Sequence, residues 1–291
     1  MADFPEYACA YARRLAARSA RFALQVSAAG EEAGGTGEGS VDPFGELSCA
    51  SRCYGLKQRF EDRVLIMASG RCFMNCRHCT RRGLLGGAQV VSTAGQLADC
   101  VAFVRAHPAV RDVLISGGDP LVLPDAGVLR FVDAFAALEQ VDIVRVCTRA
   151  LAANPRRVTK RLARALGASR KVWVNTQFNC ADEVTPEAVA AAARLVEAGI
   201  PVGCQTVLLK GVNDSADEML RLFRALTAAR IRPYYVFMCD PVAGIDRFRV
   251  PLEKARDIER TCARSIGGLA MPRFVADVPG APCKVPISEV K

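Results

Sequence analysis

Short apolar runs alternate with stretches of helical period from residue 64 onward, and this alternation constrains the fold more than any other feature of the chain. The runs are rich in β-branched or aromatic residues, which is typical of strands buried on both faces of a parallel sheet. After the second run their starts recur at roughly 30 residues, the length of one βα unit. The predicted strands are Val64–Ala68, Val113–Ser116, Ile143–Cys147, Val172–Asn175, Val202–Leu209 and Tyr234–Cys239.

The number of βα units limits the architecture to a few α/β folds. Six units are too few for a closed eight-stranded barrel, and they suit an open, partial barrel or a doubly wound sheet equally well. In either fold the chemistry belongs at the carboxyl ends of the strands. The predicted helices are 94–106, 125–138, 156–166, 186–198, 214–229 and 252–265, with Thr93, Asp125, Thr185 and Asp214 as caps.

The first 58 residues differ in character from the repeated region. Residues 5–28 are rich in Ala and Arg and predict a helix. Residues 29–40 are Gly-rich with little to bury, which indicates a flexible linker or a mobile lid. We therefore divide the chain into an N-terminal helix, linker and approach segment at 1–58, and an α/β unit with a C-terminal segment at 59–291.

Composition and charge exclude several classes of protein. The 291 residues contain no uncharged apolar run of about 18 residues, so no membrane span is predicted. Asp3 and Glu6 precede any apolar stretch and no signal-peptide core follows, which indicates a cytoplasmic protein. The net charge is +9, but the arginines are scattered along the predicted helices. That distribution makes a nucleic-acid surface a weak interpretation, and pockets for anionic ligands explain the charge equally well.

Three of the 13 cysteines, Cys72, Cys76 and Cys79, are spaced C-x3-C-x2-C directly after the first predicted strand. Three thiolates on one loop can hold three irons of a [4Fe–4S] cluster and leave the fourth open to a ligand. A zinc site with His78 as the fourth ligand and plain thiols remain alternatives. Most other cysteines stand in apolar runs and are predicted to be small buried hydrophobic residues. Trp173 is expected in the core, and His107 at a helix end.

The residues around the three cysteines resemble a known family. The stretches CRHCTRR, SGGDPL, QTVLLKGVND and RPYYVFMCD, with a lysine near the C-terminus, closely resemble the lysine 2,3-aminomutase family of the radical S-adenosylmethionine superfamily. The resemblance runs from about residue 59 to residue 286. It implies a partial (β/α)6 barrel, here with an N-terminal helical extension, and it implies that the three cysteines ligate a [4Fe–4S] cluster.

The resemblance also implies positions for S-adenosylmethionine. Its amino and carboxylate groups would chelate the fourth iron. The turn Ser116-Gly117-Gly118-Asp119 would bind the methionine amino group, because paired glycines let a backbone come close to a ligand and a carboxylate can pair with an ammonium. Gln205, on the fifth predicted strand, resembles a further contact to this cofactor.

A second cofactor, pyridoxal 5′-phosphate, is implied for Lys284. This lysine lies in an apolar turn rich in Pro and Gly, where partial desolvation lowers the pKa of its amine and favours a Schiff base. Arg59, Phe60 and Arg63 resemble a segment that relatives use near the pyridoxal ring and phosphate, and Arg149 is a further candidate contact. A solvated basic turn is the alternative for each arginine.

The substrate contacts follow from the same resemblance. Arg81 would bind the substrate carboxylate, and Asp240 and Asp277 would hold a distal ammonium. The implied activity moves the α-amino group of L-lysine to the β-carbon, with arginine as the alternative substrate. More distant alternatives are radical chemistry without pyridoxal phosphate on a peptide or carbohydrate, and a non-catalytic metal-bound module.

The expected partners are a small-molecule amino acid and an electron donor such as flavodoxin or ferredoxin. Relatives extend well past the pyridoxal lysine, whereas this chain ends seven residues after Lys284, and a homodimer is left open.

Overall fold

The computed structural model describes residues 9–27, 39–40, 42, 53–81 and 89–290, and within them one sheet of nine strands follows the order of the chain. Neighbours from β2 to β8 pair in parallel, and β1 and β9 pair antiparallel at the two edges. The sheet does not close on itself, so the partial barrel is confirmed. The strands are β1 Leu56–Phe60, β2 Arg63–Ser69, β3 Asp112–Gly117, β4 Ile143–Cys147, β5 Val172–Gln177, β6 Val202–Leu208, β7 Arg232–Met238, β8 Arg273–Ala276 and β9 Val285–Pro286.

All six predicted strands are present, as β2 to β7, and three further strands were not predicted. The first of these, β1, has the sequence LKQRF, which lacks the apolar run of a buried strand because it is an edge strand. The last, β9, has only two residues and exists only by pairing with β8. Neither edge strand carries the periodic signal of a buried parallel strand.

The helices agree closely with the periodic pattern. Thr93 and Thr185 cap their helices as predicted, and Thr93 forms a reciprocal capping box with Gln96. The predictions for Asp125 and Asp214 are wrong: Pro124 and Ser215 precede the first helical residues, and each aspartate instead pairs with a basic side chain. The helices after β1 are α3 Ala94–Ala106, α4 Asp125–Ala136, α5 Ala150–Ala153, α6 Lys160–Gly167, α7 Pro186–Glu197, α8 Ala216–Ala228 and α9 Leu252–Ser265.

The N-terminal region forms two helices where the sequence predicted one. These are α1 Ala10–Ala16 and α2 Ala20–Val26, and Ser19 caps the second by accepting a hydrogen bond from the Phe22 amide. Both helices pack on the loop that carries the three cysteines, in a small core that includes Leu15, Phe22 and Met74. Most of the Gly-rich stretch 29–40 lies outside the described residues.

The main core lies between the sheet and helices α3 to α7. Six cysteines outside the clustered three are buried, as predicted, whereas Cys283 is exposed and Cys49 lies outside the described residues. Trp173 was expected in the core, but 43% of its surface is exposed, because it stands near the amino end of β5 at the rim of a cavity. His107 ends α3, as expected. No helix in the described part of the chain is long and apolar enough to cross a membrane.

Candidate active site

A cavity of about 390 Å³ lies inside the partial barrel and reaches the gap between its two edges. All sixteen residues predicted above as site residues line it. A larger cavity of about 700 Å³ opens at the amino ends of the strands, beside Trp173, and contains none of the three clustered cysteines. Asn175 and Tyr234 contact both cavities and are joined by a 2.9 Å hydrogen bond. The smaller cavity is the candidate active site because it holds the chemically competent side chains.

Residues 71–81, the cysteine loop, follow β2 and bring all three cysteines to the cavity wall. Asn75 adopts a left-handed backbone conformation with φ of 49°, which turns the chain sharply between Cys72 and Cys76. Burial raises the pKa of the Cys72 thiol. The Arg81 amide donates to Cys79 Sγ at 3.4 Å, so the end of the loop folds back on its own cysteine.

The paired glycines after β3 let two loops touch. A Cβ at Gly117 would lie 2.3 Å from the Ser69 carbonyl oxygen, and one at Gly118 would lie 2.3 Å from the Arg71 carbonyl oxygen. The Gly118 amide donates to Ser69 O at 2.6 Å. Gly117 also has φ of 113°, a conformation that L side chains rarely adopt. The glycines therefore hold the β3 turn against the start of the cysteine loop, a role that the sequence did not predict.

Asp119 joins the β3 turn to the end of β4. The carboxylate accepts hydrogen bonds from the Leu121 amide at 2.9 Å, the Thr148 hydroxyl at 2.7 Å and the Arg149 amide at 2.9 Å. Burial raises the pKa of Asp119 to about 6, and these donors oppose that rise. Because three protein groups already bind this carboxylate, its evident function is to fix the turn, beside any contact to a ligand.

Arg149 lies with the cysteines, whereas the sequence placed it near the pyridoxal group. Its side chain is buried and donates to Cys76 Sγ at 2.9 Å, to the Glu183 carboxylate at 2.7 Å and to the Gln25 amide oxygen at 3.2 Å. Glu183 and Gln25 are fully buried. Sequence reasoning missed both of these residues, because Gln25 belongs to the N-terminal helix α2 and Glu183 to a short turn after β5.

Gln205 is held in place by an aromatic hydroxyl. The Tyr234 hydroxyl donates to Gln205 Oε1 at 3.0 Å and accepts from Asn175 Nδ2 at 2.9 Å. These three residues stand on adjacent strands β5, β6 and β7, so the sheet register aligns them across the floor of the cavity. His78, the alternative zinc ligand, lies nearby with Nε2 3.2 Å from the side-chain amides of Gln177 and Asn179.

Lys284 and Asp277 meet at the other end of the cavity. The Lys284 ammonium donates to Asp277, and Arg59 pairs with the same carboxylate at 2.8 Å. Arg59 belongs to β1 and Asp277 follows β8, so this ion pair crosses the gap between the two edges of the open barrel. Burial lowers the pKa of Lys284, and Asp277 opposes that change. The Lys284 Nζ lies 5.2 Å from the centre of the Phe60 ring and 5.4 Å from that of Phe237.

Phe60 stands among several cations. The Arg63 guanidinium lies 4.8 Å from the ring centre and the Arg59 guanidinium lies 5.3 Å from it. Arg63 is also paired with its neighbour Asp62 at 2.8 Å. A ring between two guanidinium groups and a lysine suits an aromatic ligand with a negative charge.

Asp240 follows β7 and faces the same group of charges. Burial and the nearby Asp277 carboxylate raise its pKa to about 7, whereas Lys284, Arg59 and Arg81 lower it. The two aspartates predicted to act together are therefore within electrostatic reach of each other. A carboxylate with a pKa near neutrality, beside a second carboxylate, is a site where a cationic ligand would be stabilised.

Three curated relatives of this chain carry names of amino acid 2,3-aminomutases. A sequence model of the radical SAM superfamily matches residues 66–223. The chain is 40% identical to an L-lysine 2,3-aminomutase from Fusobacterium nucleatum over 80% of its own length and 55% of that protein. It is 35% identical to a putative L-lysine 2,3-aminomutase from Treponema pallidum over 85% of its length and 69% of that protein. It is 32% identical to a glutamate 2,3-aminomutase from Clostridioides difficile over 85% of its length and 58% of that protein. The chain thus spans about half the length of the first of these relatives.

Solved structures share the fold. Streptococcus suis SuiB bound to S-adenosylmethionine matches with a TM-score of 0.56 at 15% identity, over 75% of this chain and 51% of that one. A radical SAM methyltransferase from Sphaerobacter thermophilus matches with a TM-score of 0.55 at 20% identity, over 76% of this chain and 68% of that one. These structures show the fold. The radical SAM sequence model and the curated relatives show the family: the chain belongs to the radical S-adenosylmethionine superfamily and, within it, to the lysine 2,3-aminomutase family.

Proposed function

We propose that the protein is a radical S-adenosylmethionine, pyridoxal-phosphate-dependent 2,3-aminomutase that moves the α-amino group of L-lysine to the β-carbon. The observation that carries this proposal is the shared cavity, which joins Cys72, Cys76 and Cys79 to Lys284 and to the two aspartates. A cavity of this kind lets one substrate reach both a radical source and a lysine-bound cofactor.

The cysteine loop fits the [4Fe–4S] cluster that the superfamily uses. All three thiols face one cavity, and Arg149 supplies a donor to one of the sulfur atoms. Three thiolates on one loop can each bind a different iron of such a cluster and leave the fourth iron open to a ligand.

The residues at the other end fit pyridoxal phosphate. Lys284 is partly buried, its pKa is lowered by desolvation, and aromatic rings flank it. Arg59 and Arg63 lie beside Phe60 and could bind the phosphate group. When bound, the two cofactors supply a radical from S-adenosylmethionine and an electron sink for the migrating nitrogen.

The protein's own contribution is to bind, orient and enclose the substrate. Arg81, at the end of the cysteine loop, can bind the α-carboxylate with its planar guanidinium. Asp240 and Asp277 can bind a distal cation at the opposite end of the cavity. Fixing both ends places the carbon between them and excludes water from a reactive intermediate. A low-potential, one-electron donor such as flavodoxin or ferredoxin would supply the electron.

Two ion pairs within the protein support the proposal that the substrate is a basic amino acid. Asp277 already binds the ammonium of Lys284, which is the group that a lysine substrate carries. It also binds the guanidinium of Arg59, so arginine is the second candidate substrate. A glutamate substrate would bring a third carboxylate to Asp240 and Asp277, which is unfavourable without a compensating cation. One relative is named a glutamate 2,3-aminomutase, so this distinction needs a direct test.

An anaerobic assay tests the proposal. The protein, reconstituted with iron, sulfide and pyridoxal phosphate, is incubated with S-adenosylmethionine, a reductant and each of the twenty amino acids in turn. We expect β-lysine, or β-arginine, to be detected by mass and 5′-deoxyadenosine to accumulate only with the accepted substrate. Turnover of glutamate at a rate similar to that of lysine would contradict the assigned specificity, and a colourless, iron-free protein would end the enzymatic proposal.

A further inference from the structure

The contact between Arg149 and Cys76 is the least expected feature of the cavity wall. Arg149 Nη1 lies 2.9 Å from Cys76 Sγ, inside a region where both side chains are buried. Nη2 of the same guanidinium donates to Glu183 at 2.7 Å and to Gln25 at 3.2 Å, and Nε donates to the Gln177 carbonyl oxygen at 3.2 Å. All three guanidinium nitrogens therefore have acceptors, which fixes the plane of the group.

Glu183 supplies the negative charge that balances the positive charge of Arg149 in this buried site. It is fully enclosed, and its carboxylate accepts from Arg149, from Gln25 Nε2 at 2.9 Å, and from the Asn179 and Cys180 amides at 2.9 and 3.1 Å. Replacing a buried ion pair by apolar residues is often neutral or stabilising. This buried pair also directs one N–H to a cysteine sulfur. Holding that sulfur is therefore a better explanation for the pair than a contribution to folding stability.

The N-terminal helix α2 takes part in the same network. Gln25 accepts from Arg149 and from Asn179 Nδ2 at 2.9 Å, and its carbonyl oxygen accepts from the Arg77 amide at 2.8 Å. Arg77 directly follows Cys76. The helix thus holds both the cysteine loop and the arginine that contacts it, which keeps the distance between them constant.

We propose that Arg149 is a positioning residue that holds Cys76 by a charge-assisted N–H···S hydrogen bond and raises the reduction potential of the bound cluster. The proposal rests on the assignment of Cys76 as a cluster ligand. Hydrogen bonds to the sulfur atoms and nearby charge are known determinants of cluster potential. In the step concerned, one electron passes from an added reductant to the oxidised cluster, no proton moves, and the cluster becomes more negative by one charge. A positive donor next to a ligand sulfur stabilises that more negative state.

The sign of the effect separates this proposal from a purely structural role. In Arg149→Met the donor and the positive charge are lost, so the reduced cluster is destabilised. In Glu183→Gln the negative counter-charge is lost while Arg149 stays, so the reduced cluster is stabilised. Damage to the fold would instead shift the potential in the same direction in both variants, or would lower the iron content of both.

The experiment is a potentiometric titration of the reconstituted protein with dithionite, followed by electron paramagnetic resonance of the reduced cluster. For Arg149→Met we expect at least a tenfold lower ratio of reduced to oxidised cluster at a fixed ambient potential, which is a shift of about 59 mV to more negative values for one electron. Glu183→Gln should shift the potential to more positive values. The ratio in Arg149→Lys should lie between those of wild type and Arg149→Met.

Two further variants keep the proposal testable if Arg149→Met folds poorly. The double variant Arg149→Met/Glu183→Gln removes both buried charges, so it should fold, and its potential should be more negative than that of Glu183→Gln alone. Arg157→Met is the matched control, because Arg157 also pairs with a carboxylate, Asp125 at 2.7 Å, in a partly buried site that is not part of the cavity wall. Its potential should equal that of wild type.

The outcomes distinguish this proposal from the assignment on which it rests. If Cys76→Ala keeps a normal cluster, Cys76 is not a ligand and the assignment itself fails. If Cys76→Ala loses the cluster but the double variant has the same potential as Glu183→Gln alone, Arg149 has no influence on the cluster and the present inference is overturned. Shifts of equal sign in Arg149→Met and Glu183→Gln would also overturn it.

Discussion

The two ends of the active-site cavity hold their charges in different ways. At the cysteine end, which comprises the cysteine loop, Arg149 and Glu183, the Arg149 and Glu183 charges are buried and each is bound by several protein groups. At the lysine end, which comprises Lys284, Asp277, Asp240 and Arg59, the charged groups are partly exposed and bind mainly one another across the open edge of the barrel. In the first arrangement each charge has several fixed protein partners, whereas in the second a ligand with a cationic group could replace the partners of Asp277.

This difference indicates a division of work between the two ends. A permanent cofactor is best served by groups whose positions do not change, and the network of Arg149, Glu183 and Gln25 fulfils that condition. A substrate that enters and leaves needs charged groups that are paired in its absence and released in its presence. Asp277, bound to Lys284 and Arg59, is such a group. Variants at the two ends should therefore separate the cluster from the substrate contacts.

The largest effect is expected at the cysteine end. Cys76→Ala should abolish formation of 5′-deoxyadenosine, because two remaining thiolates do not hold a four-iron cluster securely. Iron analysis and anaerobic absorption spectra should show at most a damaged cluster, while borohydride should still attach pyridoxal phosphate to Lys284. Wild-type iron content together with normal cleavage of S-adenosylmethionine would refute the ligand assignment.

Lys284→Ala should give the reverse pattern. Activity should be lost, iron content should remain, and borohydride reduction followed by peptide mapping should find no pyridoxal label at residue 284. Lys284→Arg is the matched variant, because it keeps a cation beside Asp277 but cannot form a Schiff base. Lys57 lines the same cavity, so Lys57→Ala tests the alternative anchor. Label found on Lys57 in the wild-type protein would place the pyridoxal site elsewhere.

A smaller loss is expected from the substrate carboxylates. Removing one partner from a buried charge pair typically costs about 2–5 kcal/mol, so Asp277→Ala should lower kcat/KM for lysine roughly 30-fold or more. Asp240→Asn should act in the same direction, and the cluster should remain in both variants. Steady-state kinetics with lysine and arginine give the measurement. Full activity of both variants would show that these carboxylates do not select the substrate.

The dependence on pH should be milder. Since the pKa of Asp240 is raised to about 7, this carboxyl is protonated below neutrality and charged above it. The ammonium of a lysine substrate stays charged throughout this range. KM for lysine should therefore fall as the pH rises through about 7, with a slope of at most about tenfold per pH unit because one proton is involved. The slope should be absent in Asp240→Asn, and an identical pH profile in that variant would contradict the assignment.

The smallest effect should come from a residue outside both ends. Thr93→Ala removes the capping box at the start of α3 and should lower the free energy of unfolding by about 1 kcal/mol. Denaturant titration measures this change. Iron content and pyridoxal labelling should match those of wild type. A change in either would mean that the stability of α3 affects cofactor binding at one of the two ends.

Much of the fold could be predicted from the sequence because its signals are local. The parallel strands β2 to β7 are continuous apolar runs, and the helices between them carry a periodic pattern, so both were found within a few residues of their observed bounds. The edge strands were missed because their pairing, and not their composition, makes them strands. Asp125 and Asp214 were assigned as caps because aspartate favours that position, but each has a basic partner that is distant in sequence.

In the candidate site, too, some features could be predicted from the sequence and others could not. The spacing of Cys72, Cys76 and Cys79 was enough to favour a cluster site, because all three lie on one short loop. The contacts of Arg149 with Cys76 and of Arg59 with Asp277 could be seen only in the folded chain, since these partners are 73 and more than 200 residues apart. Contacts of such separation depend on how the strands and the N-terminal helices pack, and no local pattern in the sequence encodes them.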